Sequence, residues 1–248
     1  TQVSRVLLFY ERWLKRFQIW QDLARAENKD VLIAWAGLGY NRRALLLRDI
    51  ARQIVEHGVP QTEDAWKKLK GIGPYTAAAL SAFSLKQRTL PIDTNIRRTT
   101  GRIFLGKPFP QPTDEKKIQM KREEILPKRG NYFDVPQALF DLATMICTKV
   151  PHCSVCPMKR RCRAAPTFVR GMIHVPRQMI KKAEERKHRN KPYPDRIYRG
   201  RMLKLMQEQP NGLAVERIGP MIDPAFCDRE DRPWLEAMIG RLMKDQFL

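Results

Sequence analysis

Leu69-Lys70-Gly71-Ile72-Gly73-Pro74-Tyr75-Thr76-Ala77-Ala78-Ala79 is the stretch on which the reading of this chain turns. Pro74 suits the first position of a helix, where its missing N–H is no loss. Gly71 and Gly73 allow the tight turn and close backbone approach that a side chain would block. The amides of Gly71, Gly73 and the helix start are then free to hold a phosphate, aided by the positive end of the helix dipole. Lys68 and Lys70 add charge beside them. A bare Gly-Ile-Gly precedes many helices with no such role, so the weight lies on the longer string.

Downstream, the chain reads Leu90-Pro91-Ile92-Asp93-Thr94-Asn95-Ile96-Arg97-Arg98. Taken alone, Asp93 or Thr94 is an ordinary helix N-cap. Arg97 and Arg98 either contact phosphate or cover the helix surface. Further on comes Cys147-x5-Cys153-x2-Cys156-x5-Cys162, four of the five cysteines within sixteen residues. Thiolates gathered by short loops suit zinc or a [4Fe–4S] cluster rather than disulfides. Zinc ribbons bring two close pairs together from separate turns, whereas this set has one close pair and two outer cysteines. Lys149, Lys159, Arg160, Arg161 and Arg163 surround it.

The whole chain of 248 residues has 47 Lys plus Arg against 26 Asp plus Glu, a formal charge of +21. The excess is spread along the chain. Such a surface suits a polyanion, because each neutralised phosphate releases counterions. No apolar run approaches a membrane span and no secretory signal is present, so an intracellular, nucleoid-associated location is expected.

Val3, Val6, Tyr10, Leu14 and Phe17 recur at helical spacing, as do Leu47, Ala51, Ile54 and Val55, and no strand alternation is found. Thr62 ahead of Glu63 and Asp64 marks one helix start; Pro136 ahead of Gln137 to Cys147 marks another. The fold class is mostly α. The expected divisions are a helical core at 1–106, a second helical part with the cysteine loop at 107–165, a basic linker at 166–195, and a small, winged-helix-like module at 196–248. Helices are expected there at 197–207, 213–218 and 234–248.

Together these motifs resemble the helix-hairpin-helix glycosylases of the endonuclease III superfamily, and the MutY-like adenine glycosylases in particular. The likeness runs from Thr1-Gln2-Val3 through Gly37-Leu38-Gly39-Tyr40 to Cys162, about two thirds of the chain. It implies a helix-hairpin-helix core with an iron–sulfur loop. It implies excision of adenine mispaired with guanine or 8-oxoguanine in double-stranded DNA, by a monomer carrying a [4Fe–4S] cluster on Cys147, Cys153, Cys156 and Cys162. Asp93 is then the carboxylate that stabilises an oxocarbenium-like sugar, with Asn95 orienting the groups. Tyr75 stands where endonuclease III carries a Schiff-base lysine, which implies base removal without strand cleavage. DNA contacts fall to Gln2, probing the duplex, to Tyr40, wedged beside the partner base, and to Lys70, Gly71, Gly73, Thr76 and Arg97.

The pattern departs from the family in three ways. The first gap between cysteines is five residues, where the family usually has six. The glutamate that protonates adenine lies just upstream of Thr-Gln-Val in the family, so the chain reads as truncated at its N-terminus. The segment after the linker is short for a NUDIX-like domain. Two other readings stay open: a thymine or uracil mismatch glycosylase of the same fold, and a non-catalytic DNA-binding module.

Overall fold

A computed structural model describes residues 3–176, 185–189, 191–209, 212–245 and 247. Among them every regular element is helical. They group into two compact units, 1–59 with 184–248, and 60–183.

The first unit begins with α1 (Val3–Arg16), α2 (Trp20–Arg25), α3 (Asn28–Trp35) and α4 (Arg42–His57). The periodicity expected of α1 is present, but its apolar row is not the buried one. Val6, Tyr10 and Leu14 stay exposed, while Phe17 is buried and Trp13 packs edge-on against both Phe17 and Trp35. The unit is completed by α12 (Asp195–Glu208), α13 (Val215–Ile222) and α14 (Asp228–Lys244). One core joins both ends of the chain: Leu23, Val31, Ala44 and Ala51 pack with Tyr198, Met202, Leu235, Met238 and Leu242. Burying each large side chain of that kind contributes roughly 1.5–3 kcal/mol.

The last helix starts six residues before the expected Trp234, so Pro233 lies inside it. The start is set instead by acids. Asp228, Glu230 and Asp231 occupy the first turn, where they complement the dipole, and Asp231 accepts the N–H of the capping residue Cys227 at 2.9 Å. Similarly, α13 runs to Ile222 rather than 218, with Pro220 inside it.

The second unit holds α5 (Glu63–Lys68), α6 (Pro74–Phe83), α7 (Thr94–Leu105), α8 (Glu115–Met120), α9 (Arg122–Ile125), α10 (Asp134–Met145) and α11 (Ala165–Val169), with short 3-10 turns at Pro112–Asp114 and Cys153–Val155. Thr62 caps α5 as expected, its hydroxyl accepting from the Ala65 amide. α10 starts two residues before Pro136, which sits within the first turn, where a missing N–H is harmless. The core gathers Leu90, Ile92 and Ile96 at the entrance of α7 with Ile118, Leu126 and Leu139. Gly101, on α7, is required by contact: a Cβ there would lie 2.3 Å from Cγ of Pro110. The 108–111 loop can therefore lie directly on the helix.

Candidate functional site

The hairpin in the second unit joins α5 to α6. Trp66, Leu69 and Ile72 are buried, and the Ile72 amide donates to the Leu69 carbonyl at 3.1 Å, so apolar anchors fix the loop from within. Gly71 has φ of +100°, a conformation that strains any residue bearing a Cβ. Gly73 caps α6 in extended backbone, with open space where its Cβ would be. The amides of Gly71 and Gly73 donate to no backbone carbonyl among the described residues, and the first-turn amides of α6 have no intrahelical acceptor. The loop thus turns a row of donors and a helix N-terminus outward, with Lys70 and Thr76 exposed alongside. That arrangement suits an anion.

Asp93 is the N-cap of α7. Its Oδ1 accepts the Ile96 amide at 2.7 Å, and its Oδ2 accepts Nδ2 of Asn95 at 2.9 Å. Both oxygens are therefore fixed. Tyr75 is the nearby group from the hairpin helix: burial and the Asp93 carboxylate both push its phenol above the ordinary tyrosine range. So Asp93 is a half-buried carboxylate oriented by Ile96 and Asn95, and its charge is felt at the Tyr75 phenol. Such a carboxylate stabilises a developing positive charge better than a neutral reactant.

The two arginines after Asn95 take different paths. Arg97 pairs with Glu115. Arg98 turns inward: Nη2 donates to Asn95 Oδ1 at 3.1 Å and to the Ala143 carbonyl at 2.8 Å, and Nε donates to the Cys147 carbonyl at 2.9 Å. It therefore serves neither phosphate nor helix surface here. Burial and the neighbouring charge of Arg102 both lower its pKa. Sequence reasoning missed Arg102, one helical turn beyond Arg98; the spacing was the only signal available.

The four cysteines of the 147–162 set line one small cavity with Arg102 and Phe168, all four as free thiols. Burial raises the Cys153 thiol, and the charges of Cys147, Cys162 and Cys156 add to the shift. Burial also raises Cys162, against amide hydrogen bonds from Ala164 and Ala165. Mutual repulsion of this kind means that the sulfurs share one field. Among the described residues, no three His, Cys, Asp or Glu side chains converge as one metal ion requires. The four thiols line a common cavity. Four thiols lining one cavity are a donor set whose chemistry suits a metal centre with thiolate ligands.

In the first unit, Tyr40 is 75% exposed and has φ of +52°, with the Arg43 guanidinium over its ring at 5.0 Å. A large exposed aromatic held in the left-handed region is strained. Gln2 lies outside the described residues. No described helix is long and apolar enough to cross a membrane.

Residues 1–128 match the family described as HhH-GPD superfamily base excision DNA repair protein. The chain is 33% identical over 180 residues to the adenine DNA glycosylase of Mus musculus, covering 70% of this chain and 35% of that one. It is 33% identical to that of Mycobacterium tuberculosis strain H37Rv, covering 64% and 53%. To that of Mycolicibacterium smegmatis it is 28% identical, covering 92% and 76%. The chain thus spans about a third to a half of the length of the first two relatives. Among solved structures, a thermostable thymine-DNA glycosylase is similar with a TM-score of 0.61 at 24% identity, covering 67% of this chain and 79% of that one. A trapped endonuclease III–DNA covalent intermediate is similar at 0.57 and 17%, covering 68% and 79%. The fold is that of these helix-hairpin-helix enzymes.

Proposed function

We propose a function for a chain that belongs to the HhH-GPD superfamily of base excision DNA repair proteins: it hydrolyses the N-glycosidic bond of adenine mispaired with guanine or 8-oxoguanine in double-stranded DNA, acting as a monomer and leaving the strand intact. The observation that carries this reading is Asp93, both oxygens hydrogen-bonded at the head of α7. The names of the curated relatives support adenine as the base.

Breaking the bond leaves positive charge on the sugar. The ionised Asp93 faces that charge, and Asn95, steered by Arg98, keeps the second carboxylate oxygen aimed. Water then adds to the sugar. Tyr75 has no amine, so no Schiff base forms and the phosphodiester survives. The hairpin amides, Lys70 and Thr76 grip a phosphate, Arg97, paired with Glu115, adds a DNA contact, and Tyr40 and Gln2 probe the duplex. Cys147, Cys153, Cys156 and Cys162 would hold a [4Fe–4S] cluster, which supplies a compact anionic cross-link between the end of α10 and the loop before α11.

The thymine-DNA glycosylase among the structural neighbours keeps a second base in play. Single-turnover excision over duplexes carrying adenine, thymine or uracil opposite guanine, and adenine opposite 8-oxoguanine, tests the proposal. Adenine should be released and the strand should stay whole until alkali or heat is applied. Release of thymine or uracil alone would replace adenine as the substrate, and binding without any release would leave a recognition module.

A further inference from the structure

A guanidinium keeps its proton at any physiological pH, so burying one without an anion is unfavourable. Arg102 is 2% exposed. Its Nη1 donates to Cys147 Sγ at 3.4 Å and to the Thr148 carbonyl at 2.7 Å. Nη2 reaches the Lys149 carbonyl at 3.1 Å, and Nε the Pro108 carbonyl at 2.9 Å. The Phe168 ring lies 4.9 Å from its guanidinium carbon. Among the described residues no carboxylate pairs with it, and the second guanidinium beside it, that of Arg98, repels it. The anionisable group that Arg102 touches is a thiol. Its own carbonyl takes the Ala164 amide at 3.1 Å, so one residue braces both ends of the cysteine loop.

We propose that Arg102 is the fixed counter-ion of an anionic four-thiolate centre in this cavity, and that its charge sets the redox potential of that centre. This rests on the reading of the four cysteines as [4Fe–4S] ligands. Four thiolates around a core of charge 2+ leave a net 2−, and loss of one electron to an electrode leaves 1−. A cation hydrogen-bonded to a ligand sulfur favours the more negative of the two states, so it makes oxidation harder and holds the potential up. Arg102 is a positioning residue in this scheme, since it acts through the thiolates.

The test uses the full chain as purified anaerobically, its Arg102→Met and Arg102→Lys variants, iron and acid-labile sulfide analysis, and voltammetry. The parent should carry about four irons per chain. A parent holding zinc, or no metal, would end the cluster reading before any variant is compared. With iron full in all three proteins, the Met variant should show a lower midpoint potential and the Lys variant one close to the parent. An unchanged potential in the Met variant would overturn the proposal. If the Met variant loses its iron, retention of full iron by the Lys variant supports charge as the essential property. Loss of iron from both would mean that the fork of hydrogen bonds to the loop carbonyls, and not the charge, is what the site needs, and the proposal would fall.

Discussion

Arg98 ties Asn95 to Cys147: one guanidinium donates to the Asn95 side-chain oxygen at 3.1 Å and to the Cys147 backbone carbonyl at 2.9 Å. Because Asn95 in turn donates to Asp93, the candidate catalytic carboxylate is joined to the start of the thiol cavity by three hydrogen bonds. Replacing Arg98 by Gln should leave the carbonyls of Ala143 and Cys147 short of a donor and Asn95 free to rotate. Hydrogen bonds to charged groups contribute about 1.5–3 kcal/mol each, so a lower melting temperature is expected together with at least a tenfold slower excision step. Single-turnover rates measured at saturating enzyme isolate the chemistry. An unaltered rate in a destabilised variant would show that the link only holds the fold.

Asp93→Asn separates capping from charge. Asn caps a helix about as well as Asp, so stability should fall by no more than about 1 kcal/mol. Loss of the anion should slow excision by about 10²-fold or more, as removing one electrostatic stabiliser of a transition state does. DNA affinity, measured by fluorescence anisotropy, should stay near that of the parent. Near-parental excision would remove Asp93 from the chemistry.

Burial, together with the negative charge of Asp93, holds the Tyr75 phenol in the neutral form beyond the usual range. A raised folded pKa favours the native state at pH values below the unfolded phenol's titration, and that contribution is lost as pH climbs through the folded value. A difference titration of the parent against Tyr75→Phe near 295 nm should reveal one phenol ionising later than a free tyrosine. The parent should give no borohydride-trapped DNA complex, while Tyr75→Lys places an amine next to the sugar and should give one. Trapping by the parent would contradict the strand-sparing reaction.

Tyr40 holds φ of +52° while standing largely in solvent. Gly accepts that backbone without strain, which is worth about 1 kcal/mol, against about 0.5–1 kcal/mol for the lost contact with Arg43. Tyr40→Gly should therefore be as stable as the parent in urea melts. It should also lose discrimination between mismatched and matched duplex, read as the ratio of their dissociation constants. A stable variant with intact discrimination would deny the wedge.

The hairpin was legible because its chemistry is local: two glycines, a proline and a buried Ile72 are all one loop needs. Asp93 was legible by its place after that loop, and the cysteines by their spacing. Arg98 and Arg102 were not legible, because most of what they touch lies more than forty residues away in sequence, at Ala143 to Lys149. A surface arginine and a buried one look alike until the partner helix is in place. The exposed row of α1 and the early start of α14 were misread for a related reason. Periodicity shows that an apolar face exists, not what covers it, and Pro233 looks like a helix start until the acids before it are seen holding the first turn.

Asp231, one of those acids, is also the centre of a buried ionic knot in the first unit. It is 2% exposed and accepts Lys191 Nζ at 2.6 Å, the Cys227 amide at 2.9 Å and His188 Nε2 at 3.1 Å. Lys191 also meets Asp223 at 2.6 Å and the Ala225 carbonyl at 3.0 Å, while the His188 ring stacks on Trp234 at 4.8 Å. Burial works to raise the Asp231 carboxyl, but the Cys227 amide and Lys191 outweigh it and hold it below the usual carboxylate range. A lowered folded pKa means that its stabilisation is present above the unfolded carboxylate value, near pH 4, and is lost as pH falls through the folded one. Asp231→Ala removes the acceptor and leaves Lys191 partly uncompensated, which for a buried pair costs about 3–5 kcal/mol. Urea melts at pH 7 should show that loss. Below about pH 4 the parent should weaken as its carboxylate is protonated, while the variant, already without the carboxylate, changes less. Parallel acid profiles for the two proteins would place the acid sensitivity elsewhere, and a variant as stable as the parent at pH 7 would show that the knot does not hold α12 to α14 together.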